Sequence, residues 1–381
     1  MGTKSPFQEV AELLKESGGE ALAQCYQCGT CSATCPWRDY ISFLPRRMFH
    51  EARFGLTDFE SDSLWRCVTC NKCVQRCPRG VPIIDLMRAL RRSVIGMGIA
   101  EAPSALAGAL RNLSAAGNPT GQPGESRNAW AEGLEINTFD SNAEYLFFPC
   151  CVTAYDPTMK NAVKSMVKVL SVAGIDFGLL DGLVCCGESV RKAGDEALFQ
   201  QLASSNARLL KEHCVKKIIV NSPHCYHTLV HEYPEIDSRF EVIHTSQIFS
   251  NLVREGRLKP SRRVERRVTY HDPCYLGRHN GIYEDPRRLI NSIPGSQLIE
   301  MESIKAESLC CGGGGGRIWM ETPKAERFCE DRLKQALLIG ADTLVTACPY
   351  CSSNFKDSVL NQSVSDQIAI MDIGELIAEA L

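Results

Sequence analysis

The sequence of 381 residues contains no long apolar run. Its most apolar-leaning stretch, Ser93 to Leu110, is interrupted by Glu101 and Pro103. That falls short of the roughly 20 residues a membrane-spanning helix requires, so no membrane span is expected. The opening segment, MGTKSPFQEVAELLKES, lacks the apolar core of a secretory signal, which leads us to expect a cytoplasmic protein. Charge of one sign is also lacking. A net charge of −3 gives no basis for a nucleic-acid partner. With 44% hydrophobic and 23% charged residues, the composition excludes disordered, collagen-like and coiled-coil chains. The length suggests two or three domains.

Cysteine is what the chain does have, at 20 residues. A chain this long does not need disulfide staples, and in a reducing compartment clustered cysteines bind metal or do chemistry. Their spacing carries the argument. Cys25-x2-Cys28-x2-Cys31-x3-Cys35-Pro36 recurs as Cys67-x2-Cys70-x2-Cys73-x3-Cys77-Pro78. This is the spacing of two-cluster ferredoxins, in which the fourth cysteine of each run serves the other cluster. The expected sets are Cys25, Cys28, Cys31 and Cys77 on one [4Fe–4S] cluster, and Cys67, Cys70, Cys73 and Cys35 on the other. Zinc is the competing reading, but zinc ribbons use two C-x2-C pairs across a longer gap. Helical packing is expected for Leu44 to Phe54 and Leu64 to Trp65, and a helix with Arg88, Arg91 and Arg92 over Asp85 to Ser93. From Arg38 to Arg92 there are 11 Lys/Arg against 6 Asp/Glu. That local excess can offset anionic clusters, meet an acidic partner, or simply be solvated.

Residues 103–142 are rich in Ala, Gly, Asn, Ser and Pro and read as a short helix followed by an irregular linker. Beyond it the chain repeats. Cys150 matches Cys274, Cys185-Cys186-Gly187 matches Cys310-Cys311-Gly312, and Cys225 is paired with Cys348, at offsets of 124, 125 and 123. Such agreement indicates a duplication. Strands are expected at Tyr145–Phe148, Lys217–Val220, Arg267–Tyr270, Leu298–Glu300, Thr343–Thr346 and Gln367–Met371. Helices are expected at Met159–Ala173 and Ala197–His213. The alternation implies α/β halves with mainly parallel sheets, with the anchor cysteines just past strand ends, where such sheets place ligands. The expected division is a helical ferredoxin-type domain over 1–102, a linker over 103–142, and duplicated Rossmann-like halves over 143–262 and 263–381.

The second half reads Cys274-x35-Cys310-Cys311-x36-Cys348-x2-Cys351. Adjacent cysteines point in different directions, so the doublet suits a larger or distorted cluster better than a simple cube; a dicysteine switch is the competing reading. Glycines 312–316 offer an approach free of side chains. The spacing resembles the CCG domain of heterodisulfide reductases, C-x31–39-C-C-x35–36-C-x-x-C, and CYQCGTCSATCP with CVTCNKCVQRCPRG resembles the small iron–sulfur part of the same enzymes. The chain is thus similar to the fused catalytic-subunit family. Its bacterial relatives include the soluble iron–sulfur subunit of class II benzoyl-CoA reductase complexes.

The resemblance implies a noncubane [4Fe–4S] cluster on Cys274, Cys310, Cys311, Cys348 and Cys351, with disulfide chemistry centred on Cys310 and Cys311. It also implies an oxidoreductase subunit in electron transport, with a flavoprotein or other oxidoreductase subunit as partner. In the first half Cys150, Cys185, Cys186 and Cys225 fit, and Thr228 stands where the last cysteine is expected. Cys151, His224 and His227 are open as substitutes, as is an incomplete or absent cluster. A redox-sensing or structural iron–sulfur protein is the reading from a different class. Cys214 and Cys329 are expected as buried packing and Trp65 and Trp319 as core. His271 and Asp272 suit a strand-end turn or a proton shuttle, and Arg278 and His279 a surface pair or an anion contact.

Overall fold

The computed structural model describes residue 12, residues 14–55 and residues 62–381. The first eleven positions, which begin the segment read for a secretory signal, lie outside these residues. The chain divides into two compact units. The first comprises Met1–Leu110, Ser189–Phe199 and Gly312–Arg327; the second comprises Arg111–Glu188, Gln200–Cys311 and Phe328–Leu381.

The first unit has no strand among its described residues. It is built from short helices: Thr30–Thr34, Pro45–Arg53, Lys72–Gln75 and the longer Ile83–Gly96, with 3-10 turns at Pro36–Asp39 and Asp62–Arg66. Ile83–Gly96 buries Ile83, Leu86, Met87, Leu90 and Val94, an i, i+3, i+4 stripe that faces the core. It extends beyond the expected Asp85 to Ser93 because the apolar stripe continues at both ends. Arg91 on this helix is fully buried and donates to the carbonyls of Leu64, Cys67, Lys192 and Gly315. One guanidinium thereby ties four chain segments together. The insertions are part of this core. Trp65 is buried as expected and its Nε1 donates to Ala193 O at 3.2 Å, whereas Trp319, expected as core, is only half-buried, its Nε1 donating to Ser189 Oγ at 3.1 Å.

The second unit carries two parallel sheets. The first contains β1 (Asn137–Thr138), β2 (Tyr145–Phe148), β3 (Phe177–Leu179), β4 (Lys217–Val220) and β5 (Glu241–His244), in the order β1-β3-β2-β4-β5. The second contains β6 (Arg266–Tyr270), β7 (Ser296–Leu298), β8 (Thr343–Thr346) and β9 (Ala369–Asp372), in the order β7-β6-β8-β9. The two orders are the same arrangement, with β1 added at one edge, so the duplication is visible as topology. Register runs Leu146↔Ile218, Phe147↔Ile219 and Phe148↔Val220 in one sheet, and Val268↔Thr343, Thr269↔Leu344 and Tyr270↔Val345 in the other. The central strands are buried along nearly their whole length, which explains their near-continuous apolar runs.

The helices Lys160–Val172 and Glu196–Glu212 end within a residue of their sequence-based bounds. β7 lies earlier than expected, ending at Leu298, because its partner register runs Arg266↔Ser296 to Val268↔Leu298. Residues 103–142 contain a long helix, Ser104–Ala116, a 3-10 segment, Gly124–Ala131, and β1, which pairs with β3. Beyond β5 and β9 the copies use the same device in different residues. His244 with Gln247, and Asp372 with Glu375, each close a capping box on the helix that follows.

Candidate metal centre

The two ferredoxin-type runs fold alike. Residues flanking the second cysteine of each, Gln27 and Gly29 in one and Thr69 and Asn71 in the other, all have φ between 49° and 85°. Three of these four are not glycine, so the curl is held at a cost of order 1–3 kcal/mol each. Each curl lines a pocket. One, of about 380 Å³, is walled by Cys25, Cys28, Cys31 and Cys77, with Arg46, Arg79 and Phe49 around them. The other, of about 400 Å³, is walled by Cys35, Cys67, Cys70 and Cys73, with Trp37, Phe43 and Met87. Each pocket thus draws three thiols from one run and one from the other. Burial raises the Cys73 and Cys35 thiols, and the neighbouring sulfurs raise them further. Thiols held so close without a cation between them repel as thiolates, as expected of a ligand set.

Gly314 and Gly315 have their own role in this unit. A Cβ on either would collide with the backbone carbonyls of Val68 and Cys67, and Gly315 and Gly316 have φ of +67° and +85°. Gly314 and Gly315 are bare because the Cys67–Thr69 backbone lies against them, so for these two the sequence-based reading of an open approach to the doublet does not hold.

In the second unit, Cys274, Cys310, Cys311, Cys348 and Cys351 are all buried. Cys274 and Cys310 sulfurs lie 3.9 Å apart, and Cys351 donates to Cys311 at 3.1 Å. Cys310 hydrogen-bonds Cys311, and Cys348 hydrogen-bonds Cys351, completing a chain of five. Cys274 follows β6, while Cys348 and Cys351 follow β8. Strands β6 and β8 are adjacent, yet the chain leaves them towards opposite edges of the sheet, a position where such sheets hold ligands. Hydrogen bonds from Cys310 and Cys351 hold Cys311 well below the usual thiol range. Burial opposes ionisation of Cys348, but hydrogen bonds from Cys351 and His224 bring it down to about 6. Buried sulfurs that favour the thiolate are ready-made ligands. His271, read as a turn residue or proton shuttle, stands at this site. It offers a ligand atom within 4.8 Å of those of Cys311 and Cys351, and its burial lowers its pKa.

The first half gathers its own five thiols. Cys186 and Cys225 lie 3.6 Å apart, and further thiol hydrogen bonds join Cys150 to Cys225, Cys185 to Cys186 and Cys151 to Cys185. Hydrogen bonds shared with Cys185 and Cys225 lower Cys186 to about 6. Arg127, from the segment read as linker, lies buried beside them; it donates to Cys151 Sγ at 3.5 Å and Pro149 O at 2.6 Å. Nothing in the sequence singles out this arginine.

Strand ends correct the pairing of the repeats. β4 and β8 take equivalent places and end at Val220 and Thr346. Asn221-Ser222-Pro223-His224-Cys225 and Ala347-Cys348-Pro349-Tyr350-Cys351 follow, each proline opening a helix. Cys225 therefore corresponds to Cys351 rather than Cys348. The thiol missing from the first copy is at Ser222, not Thr228, which is buried in the following π-turn.

Neither histidine considered as a substitute ligand turns to the first set. His224 lies 3.1 Å from Glu188 Oε1 and hydrogen-bonds Cys348, while His227 lies among the rings of Tyr275, His231 and His279. Asp272 and Arg278 are structural. Asp272 holds Arg287 at 2.7 Å, and Arg278 donates to Ala306 O and Ser308 O. Cys329 is buried as expected, but Cys214 is exposed, with φ of 54° just past the Glu196–Glu212 helix.

Residues 145–230 and 268–356 match the model of the CCG cysteine-rich domain, and residues 24–81 match that of the 4Fe-4S dicluster domain. The chain is 34% identical to the EtfAB:quinone oxidoreductase of Syntrophomonas wolfei, over 84% of this chain and 47% of that one. It is 29% identical to a dihydromethanophenazine:CoB–CoM heterodisulfide reductase subunit of Methanosarcina barkeri, over 94% of both. It is 28% identical to a fumarate reductase (CoM/CoB) subunit of Methanothermobacter marburgensis, over 93% of this chain and 72% of that one. The chain spans about half the length of the first of these relatives. Fold, cysteine sets and domain matches define an iron–sulfur protein. The chain carries two CCG domains and a 4Fe-4S dicluster domain, and its relatives include heterodisulfide reductase subunits and related iron–sulfur oxidoreductases. No described helix is long and apolar enough to cross a membrane.

Proposed function

We propose that this chain is the electron-transfer subunit of an oxidoreductase complex. Its ferredoxin-type part would cover residues 1–102, with a connector over 103–142 and Rossmann-like halves over 143–262 and 263–381. Cys25, Cys28, Cys31 and Cys77 hold one [4Fe–4S] cluster, and Cys67, Cys70, Cys73 and Cys35 the other. Cys274, Cys310, Cys311, Cys348 and Cys351 hold a noncubane cluster. The observation that supports this best is that those last five thiols are all buried, with Cys274 against Cys310 at 3.9 Å and Cys351 against Cys311 at 3.1 Å. When bound, such clusters accept and release single electrons.

The protein's own residues do the rest. Cys311 and Cys348 present thiolates, the buried shell excludes water, and His271 stands beside Cys311 where it can hold a proton for thiol chemistry. That placement suits disulfide reduction at Cys310 and Cys311. The first half offers Cys150, Cys151, Cys185, Cys186 and Cys225, with Cys151 beside Arg127 making up for Ser222. The partner would be a flavoprotein or another oxidoreductase subunit, a reading supported by relatives named as an EtfAB:quinone oxidoreductase and a heterodisulfide reductase subunit.

The test is iron and acid-labile sulfide in anaerobically purified protein, with EPR of its reduced and thiol-oxidised forms. About twelve irons are expected from the two cubanes and the second-half site, and about sixteen if the first half is also loaded. About eight would rule out a CCG-bound cluster.

A further inference from the structure

The two copies differ in a complementary way. Where the second half has Cys348 and Tyr350, the first has Ser222 and His224. The first copy carries a hydroxyl in place of that sulfur and an imidazole in place of the phenol, and the imidazole lies beside the Cys348 sulfur and favours its thiolate. His224 and Glu188 are 3% and 1% exposed, and their polar atoms lie 3.1 Å apart. Glu188 directly follows the first doublet, Cys185-Cys186-Gly187, and the second copy has Gly313 at its place. The His224 ring is stacked between Tyr275 and Tyr350, with centroids at 4.0 and 4.2 Å and interplanar angles of 28° and 26°. Those two tyrosines adjoin Cys274 and Cys351 in sequence, so the clamp is itself built from the second site. Burying a carboxylate and an imidazole is costly, and their close pairing is what can offset it. Packing alone would be served as well by an aromatic ring at 224, as it is at 350.

We propose that His224 is a positioning residue for the second cysteine site: oriented by Glu188 and clamped by Tyr275 and Tyr350, it donates a hydrogen bond to the Cys348 sulfur. This rests on the reading that the second half holds a cluster. Partners that orient or hydrogen-bond a metal's ligands tune the metal, and hydrogen bonds to cluster sulfurs help set reduction potentials. A donor on Cys348 stabilises the more negative, reduced state and so raises the potential. The same residue adjoins Cys225, so the first copy supports the second whether or not it carries iron of its own.

The experiment compares anaerobically purified full-length wild type with His224→Phe, His224→Gln and Glu188→Gln. Iron and sulfide are counted first, and redox titrations are then followed by EPR, with the ferredoxin-type signals as internal reference. His224→Phe keeps the stacked ring and removes the donor. Its CCG-site signal is expected to titrate at lower potential with altered g-values, while the ferredoxin-type signals stay in place. His224→Gln retains an N–H donor and is expected to recover most of the shift, with Glu188→Gln lying between. A fully loaded His224→Phe with an unshifted signal overturns the inference. If that variant loses iron at the second site, His224→Gln and Glu188→Gln decide: a Glu188→Gln potential equal to wild type overturns the inference, and a graded shift supports it. A wild type with only about eight irons overturns the cluster reading itself, and the inference with it.

Discussion

His244 closes β5 with its Nδ1 accepting the Ser246 N–H at 3.2 Å, while Gln247 Oε1 accepts the His244 N–H at 3.1 Å. An acceptor nitrogen in a fully buried ring resists protonation, and burial lowers the pKa to about 3. Unfolding frees the ring to protonate near its ordinary value of about 6.5. Between those values the unfolded state binds the extra proton, so this contribution to stability is complete above about 6.5 and is lost as pH falls towards 3. At pH 5.5 the loss from this one residue is on the order of 1 kcal/mol. His244→Asn keeps a side chain able to cap and removes the titration. Chemical denaturation at pH 7.5 and 5.5 is expected to show a smaller acid loss in the variant; equal slopes in both proteins would refute the assignment. The equivalent residue in the other half, Asp372, is an ordinary cap, and neither pattern was conspicuous in the sequence. Cysteine spacing was easier to read than single polar residues. The eight ferredoxin-type cysteines follow a dense local pattern, whereas Arg127, Glu188 and His271 acquire their significance only when strand ends bring them to the thiols.

Strands are read best where both faces are buried. Tyr145–Phe148, Lys217–Val220 and Thr343–Thr346 coincide with their apolar runs because neighbours cover them on either side. β3 and β5 were not legible. Phe177–Leu179 is three residues with glycine at its centre, and Glu241–His244 is only partly buried, so neither shows a pattern that separates strand from loop. That glycine explains how β1 joins the sheet. A Cβ at Gly178 would lie 2.5 Å from Phe139 Cα and 2.7 Å from its N, and Phe139 N–H donates to Leu179 O at 2.6 Å. Gly178→Ala must push residues 137–139 away from β3. Destabilisation of about 1–3 kcal/mol is expected, as for overpacking generally. Hydrogen exchange should show lost protection at Asn137–Phe139 with β2 and β4 unchanged. Unaltered protection at residues 137–139 would mean that the edge strand accommodates the methyl.

The two units depend on different forces, and this sets what removing metal does. In the second unit the central strands alone bury Leu146, Phe147, Phe148, Ile218, Ile219, Val220, Val268, Leu344 and Val345, with helices over them. Burial on that scale, at about 25 cal/mol per Å² of apolar surface, supports a fold without metal. The ferredoxin-type runs also bury large side chains, Trp37, Phe43, Phe49 and Trp65, but with little regular structure to carry them. Their helices, Thr30–Thr34 and Lys72–Gln75, are about one turn long, far below the ~12–15 residues at which an isolated helix is even marginal. Left-handed backbone at Gln27, Thr69 and Asn71 adds further cost. Such segments are held together by their metal, as in small metal-dependent domains. The sequence could not show that 189–199 and 312–327 belong to this unit, since both are interruptions of the other unit in the linear chain. Arg91 is what includes them, through Lys192 O and Gly315 O. Stripping iron with a chelator under anaerobic, reducing conditions is therefore expected to abolish exchange protection over residues 25–77. Protection should weaken at 189–199 and 312–327 and persist in β2, β4, β6 and β8. Uniform loss across both units would show that the sheets also need metal to fold, and full retention over 25–77 would show that the runs fold without it.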